Sequence, residues 1–130
     1  HDVGKSLNPA IDLGQVEGGF IQGAGWLMME DLVWDEAGRL RTHAPSTYKI
    51  PTASDRPPVM NIGLWSKGRN REKTIRRSKA VGEPPLMLAI SALHAISAAV
   101  AAAGDGRFPD LDAPATPERV LQALASVGCE

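Results

Sequence analysis

Residues 86–103 constrain the fold more than any other stretch, because they are almost wholly Ala, Leu, Ile, Met and Val. A helix built from them is apolar on most of its surface and belongs in an interior. Ser91, His94 and Ser97 interrupt the run, and Ala dominates its second half. The reading is therefore a buried helix of a soluble domain rather than a membrane span, with His94 as a hydrogen-bonded core residue. Immediately before the run stands Lys79-Ala80-Val81-Gly82-Glu83-Pro84-Pro85-Leu86. Pro84 and Pro85 fix φ and suit a first helical turn, where their missing N–H groups would be unpaired anyway. Gly82 lets a ligand come close to the backbone. Glu83 is thus a carboxylate at the edge of a buried helix. Two readings stand side by side: a helix-start acid that complements the macrodipole, or a general base facing a ligand.

Ser6-Leu7-Asn8-Pro9 predicts a second helix start, with Asn8 as N-cap and Pro9 at the first helical position. Ile11, Leu13, Val16, Phe20, Ala24 and Leu27 follow at helical spacing. Gly14, Gly18, Gly19, Gly23 and Gly25 fall in the same segment, and each costs about 1 kcal/mol relative to Ala in a helix interior. Close approach by another backbone or by a ligand would compensate. Gln15 and Gln22 lie two turns apart on one face with Gly18 and Gly19 between them. That face suits either tight packing or hydrogen bonding to a polar ligand.

Downstream, residues 31–42 have a hairpin pattern, with Leu32-Val33-Trp34 and Arg39-Leu40-Arg41 about an Asp35-Glu36-Ala37-Gly38 turn. Pro45-Ser46-Thr47-Tyr48-Lys49-Ile50-Pro51 is expected to be extended, and residues 52–58 a loop. Residues 59–65 alternate, placing Met60, Ile62 and Leu64 on one strand face, with Gly63 as a bulge. The expected fold class is α+β, with helices packed on a small, mostly antiparallel sheet. Residues 1–104 form the main unit. Gly104-Asp105-Gly106 stops the central helix, residues 108–117 read as a linker, and Thr116 caps a short helix closed by Gly128.

The 130 residues and 43% hydrophobic content suit one domain with a real core. A net charge of −1 implies neither nucleic acid nor an anionic membrane as partner. Lys67, Arg69, Arg71, Lys73, Arg76 and Arg77 crowd one loop, but no aromatic residue is interleaved for base stacking. That loop reads as a solvated basic surface. A single cysteine, Cys129, excludes a disulfide framework, a Cys-ligated zinc site and an iron–sulfur cluster, and a reducing, cytoplasmic setting is expected. His1, His43 and His94 lack metal-ligand spacing, and there is neither a P-loop nor a G-x-S-x-G elbow. The opening His1-Asp2, with neither Met nor a secretion signal, suggests a piece of a longer chain. Glu83 is the best single candidate for acid–base chemistry.

Several motifs in one order then carry a resemblance. Asp2-Val3-Gly4-Lys5-Ser6-Leu7-Asn8-Pro9-Ala10-Ile11-Asp12, Gly14-Gln15-Val16-Glu17-Gly18, Gly23-Ala24-Gly25, Pro45-Ser46-Thr47-Tyr48-Lys49-Ile50-Pro51 and Ser78-Lys79-Ala80-Val81-Gly82-Glu83-Pro84-Pro85-Leu86 resemble the molybdenum-binding part of xanthine dehydrogenases. The resemblance spans about residues 1–103 and implies the C-terminal part of a larger molybdopterin-binding domain. It implies hydroxylation of a purine carbon of hypoxanthine or xanthine at a molybdenum–molybdopterin centre, with water supplying the oxygen. On this chain it makes Glu83 the catalytic base and Gln15 a hydrogen-bonding partner of the cofactor. Val81 and Gly82 would lie beside the metal centre through their backbone. The pterin's own sulfurs hold the metal, so no protein metal ligand is implied. FAD and 2Fe–2S clusters belong to other domains or another subunit. The implied partners are the remainder of the molybdenum subunit, an iron–sulfur/FAD subunit and a purine substrate, in a heterotetramer or larger assembly. Alone, the piece is expected to be inactive. The alternatives are a related molybdenum hydroxylase acting on aldehydes, N-heterocycles or carbon monoxide, and a non-catalytic assembly module in which Glu83 is replaceable.

Overall fold

The computed structural model describes residues 1–129. Three α-helices dominate: α1 (Pro9–Met28), α2 (Ile90–Ala103) and α3 (Pro117–Ser126). Asn8 caps α1, its side-chain oxygen accepting the Ile11 N–H at 3.4 Å, and Pro9 takes the first helical position. Thr116 caps α3 in the same manner through the Arg119 N–H. Gly104 ends α2, and Gly128, at φ 88°, turns the chain beyond α3. Residues 86–103 are not one α-helix. Pro84–Ala89 form a 3₁₀ helix that leads into α2, as the tandem prolines remove two early N–H donors.

The expected α+β class is overturned: among the described residues there is no strand and no sheet, only two isolated antiparallel bridges, Gly4–Ser78 and Trp34–Leu40. The predicted turn does form. The Asp35 N–H donates to the Arg39 carbonyl at 3.0 Å, the Arg41 N–H donates to the Val33 carbonyl at 2.7 Å, and Gly38 sits at φ 73°. Its arms grow no further because Leu32, Val33 and Trp34 stay 57%, 45% and 58% exposed. An isolated two-stranded hairpin with no apolar layer beneath it is marginal. Residues 59–65 keep the expected alternation, with Met60, Ile62 and Leu64 half-buried between exposed neighbours, yet no segment pairs with them. Alternation records which side is covered; a ladder additionally needs a partner backbone. Pro45 does not begin an extended run either. The N–H groups of Thr47 and Tyr48 both donate to the Ala44 carbonyl, and Pro45 occupies the turn position it favours.

The core comprises two small clusters. Ala24, Leu27 and Ala89 form one, with Phe20, Met28, Ile90 and Leu93 against it. Val100, Ala123 and Val127 form the other, joined by Ile96, Leu111, Val120 and Leu124. Burying Leu27, Val100 and Val127 contributes roughly 1.5–3 kcal/mol each, and each buried alanine methyl about 0.8 kcal/mol. The tail is docked onto the helices: the Ala115 N–H donates to the Leu27 carbonyl at 2.7 Å, and Arg119 pairs with Asp31 at 3.1 Å.

The expectation that residues 86–103 are enclosed is also corrected. The stretch Pro84–Ala103 is long and apolar enough to cross a membrane by length and composition, yet only 17% of its most apolar window is buried within this chain. Its residues contact α1 and α3 along one side, while Met87, Leu88, Ala95, Ala98 and Ala99 are exposed. His94 is exposed on that open side and is not a core residue.

Candidate active site

Three of the five glycines in α1 are accounted for by close approach. A Cβ on Gly19 would stand 2.9 Å from the Cβ of Pro85, and one on Gly23 would stand 2.8 Å from that of Ala89. A Cβ on Gly25 would strike the ring of Pro51. Pro85 is fully buried. The 3₁₀ helix is therefore seated in a groove that only glycine leaves open. Gly14 and Gly18 are different, because nothing lies within 4 Å of where their Cβ atoms would be. They form a bare patch beside the exposed Gln15 and Gln22. Gly18 and Gln22 also line a cleft of about 420 Å³ with Ile21, Glu30, Ile50 and Pro51. Glu30 of that lining accepts the Tyr48 hydroxyl at 2.6 Å, which pushes the phenol's pKa upward.

The packed and bare glycines adjoin one another. Gln15 lies one turn before Gly19 on the same side of α1, and Gly19 touches Pro85, two residues beyond Glu83. The seating of Pro85 thus ties the segment that follows the Val81–Glu83 loop to the middle of α1, one turn from Gln15. Val81 is buried and 8% exposed. Gly82 has φ 36° and open space where a side chain would be, so its backbone is accessible. Glu83 is exposed and its side chain makes no capping hydrogen bond to the 3₁₀ helix that follows.

A feature absent from the sequence reading fixes this loop from behind. Residues 2–5 pair antiparallel with residues 77–79. The Lys5 N–H donates to the Arg77 carbonyl at 2.7 Å and the Lys79 N–H to the Val3 carbonyl at 3.0 Å. Lys79 Nζ meets Asp2 at 2.6 Å, and this ammonium, with the Gly4 N–H, lowers the pKa of the Asp2 carboxyl. His1 Nε2 lies 3.1 Å from the Ala80 carbonyl oxygen. The only sequence signal was Gly4, whose φ of 62° and close neighbours demand glycine. No group of His, Cys, Asp or Glu side chains suited to holding a metal occurs among the described residues.

Residues 1–57 match the family model for a molybdopterin cofactor-binding domain. Xanthine dehydrogenase 2 of Arabidopsis thaliana is 47% identical over 133 residues, covering 94% of this chain and 10% of the relative. The xanthine dehydrogenase/oxidase of Rattus norvegicus is 49% identical over 128 residues, with the same coverage. The chain thus spans about a tenth of the length of these relatives, and the similarity reaches past residue 103 into the tail. Among solved structures, quinoline 2-oxidoreductase from Pseudomonas putida 86 superposes with a TM-score of 0.74 at 27% identity, covering 95% of this chain and 15% of that one. A Cu,Mo-CO dehydrogenase gives 0.77 at 23% identity, covering 97% of this chain and 15% of that one, a likeness of fold alone. This chain belongs to the xanthine dehydrogenase family and forms part of its molybdopterin-binding region.

Proposed function

We propose that the chain is the part of a molybdenum hydroxylase that supplies the catalytic base and one wall of the cofactor site for oxidation of a purine such as hypoxanthine or xanthine. The observation that supports it is the packing of the buried Pro85, two residues beyond an exposed and uncapped Glu83, on Gly19 of α1, one turn from Gln15 and next to the bare Gly18. A molybdenum–molybdopterin group, when bound, supplies the two-electron redox chemistry and the activated oxygen that originates in water.

The residues present fit such a group. Gly14 and Gly18 leave room for a planar ligand against the helix, and Gln15 offers an amide that both donates and accepts hydrogen bonds. Gly82 exposes its backbone, and its positive φ suits glycine. A cofactor that brings its own sulfur ligands asks no metal ligand of the protein. Glu83 would accept the proton released as oxygen passes to the substrate carbon, the role of a general base. Fixing that carboxylate on a proline-anchored loop holds its orientation without the entropy cost of ordering it at each turnover.

Remaining substrate contacts, FAD and 2Fe–2S centres belong to the rest of the protein and its partner subunit in this reading. The 47–49% identity to xanthine dehydrogenases, against 23–27% for carbon monoxide and quinoline enzymes, favours the purine assignment. The test is turnover of the full-length, cofactor-loaded enzyme on xanthine, quinoline, an aldehyde and carbon monoxide side by side. Preference for xanthine by at least about tenfold in kcat/KM, which corresponds to roughly 1.4 kcal/mol, is expected. Preference for another member of the panel would refute it.

A further inference from the structure

The pairing of residues 2–5 with residues 77–79 lies next to the Glu83 loop, and nothing assigned to the site so far uses its side chains. Its ion pair spans 77 residues of sequence and joins the start of the chain to the segment immediately before Val81. The two backbone hydrogen bonds, Lys5 to Arg77 and Lys79 to Val3, run in opposite directions and set the register of that segment. Asp2 is doubly engaged: one carboxylate oxygen takes the Lys79 ammonium and the other the Gly4 N–H at 2.8 Å.

On the other side the segment is held under strain. Arg76 and Arg77 adopt φ 52° and 63°, a left-handed conformation that is uncommon for non-glycine residues. Asn70 grips the Arg77 carbonyl at 2.8 Å, and the Arg77 guanidinium reaches back to the carbonyls of Arg71 and Glu72. Such backbone persists only where its surroundings over-determine it. The chain between this clasp and the buried Pro85 comprises only residues 80–84, including Gly82, which has no side chain to pack. Together with the buried Val81 and the His1 contact to the Ala80 carbonyl, its two ends orient it.

We propose that Asp2 and Lys79 are positioning residues for Glu83: their ion pair locks the strained Arg76–Lys79 segment and so fixes the direction in which the Val81–Glu83 loop presents its carboxylate. This rests on the reading of Glu83 as the base. Neither residue touches substrate or cofactor; both act through the backbone.

The test uses the full-length, cofactor-loaded enzyme and the variants Asp2→Asn, Lys79→Met and Lys79→Arg, with Glu83→Gln as reference. Asp2→Asn keeps an acceptor for the Gly4 N–H and replaces the oxygen that takes the Lys79 ammonium with a neutral amide NH2. Expected for Asp2→Asn and Lys79→Met is a fall in kcat of about tenfold, within the range that a misplaced catalytic group produces. KM and molybdenum content stay unchanged, and exchange of the Lys5 and Lys79 amides, which bond across the clasp, is faster by a similar factor. Lys79→Arg restores both kcat and exchange protection. Unchanged kcat and exchange in Asp2→Asn, alongside collapse in Glu83→Gln, overturns the positioning role alone. Near-native turnover in Glu83→Gln overturns the base reading and this proposal with it. Should Lys79→Met fail to fold, Asp2→Asn and Lys79→Arg decide the matter on the same readouts.

Discussion

Substituting alanine for two glycines five residues apart on different faces of α1, Gly18 and Gly23, should move its stability in opposite directions. In a helix interior Ala is favoured over Gly by about 1 kcal/mol. At Gly18 nothing lies within 4 Å of the added Cβ, so the gain is realised in full. At Gly23 the same atom meets the Ala89 Cβ at 2.8 Å and also presses on the Leu86 carbonyl. A backbone oxygen cannot rotate aside, and overpacking costs typically 1–3 kcal/mol. Taking about 2 kcal/mol for the collision, the net is a loss of roughly 1 kcal/mol. The two variants then differ by about 2 kcal/mol, or roughly 30-fold in the opening equilibrium of α1. Native-state amide exchange of the α1 amides in the full-length protein reads this directly. Gly18→Ala should slow exchange and Gly23→Ala should accelerate it. Equal shifts of one sign in both would refute the division of α1 into a bare face and a packed face. Because Gly18 borders the proposed cofactor wall, its stabilised variant should nonetheless retain less pterin when purified.

Two further outcomes follow from the packing and charges. Asp55 is held well below the usual carboxylate range by Lys49 first and by the Thr52 N–H and hydroxyl next. A depressed folded pKa gives an anchoring contribution that is present above about pH 4, the unfolded value, and is lost as pH falls through the folded one. The Thr52 amide should therefore lose protection on acidification below about pH 4, and Asp55→Asn should abolish that dependence. Val127→Ala removes two buried carbons, about 0.8 kcal/mol each before any cavity cost, at the centre of the α2–α3 cluster. It should accelerate exchange in α3 by roughly tenfold or more, while leaving the α1 amides within error.

Local signals were readable where one residue type does one job. Asn8-Pro9 and Thr116-Pro117 mark helix starts, and Gly38 and Gly128 mark turns at positive φ. The glycine excess in α1 was legible as a demand for close approach, though the occupant of that groove, the Pro85–Ala89 segment, was not. The sheet failed because alternation at Met60, Ile62 and Leu64 specifies a face and no partner. The burial expected of residues 86–103 failed because composition states what a surface prefers, whereas this chain covers only part of that helix. The clasp of residues 2–5 on residues 77–79 was invisible for a different reason: an ion pair across that separation leaves no periodicity. The motif containing Glu83 stood out in sequence; its exposure and its uncapped carboxylate are structural facts.

The central claim is that Glu83 is the base, and Glu83→Gln in the full-length enzyme, co-expressed with its partner subunit and loaded with cofactor, tests it most directly. Xanthine oxidation is compared with the native enzyme after molybdenum content has been matched. Loss of a general base is expected to cost about 10²–10⁴-fold in kcat with metal retained, because the glutamine keeps the shape of the loop. Near-native turnover would make Glu83 merely the residue before a proline helix and would contradict the account.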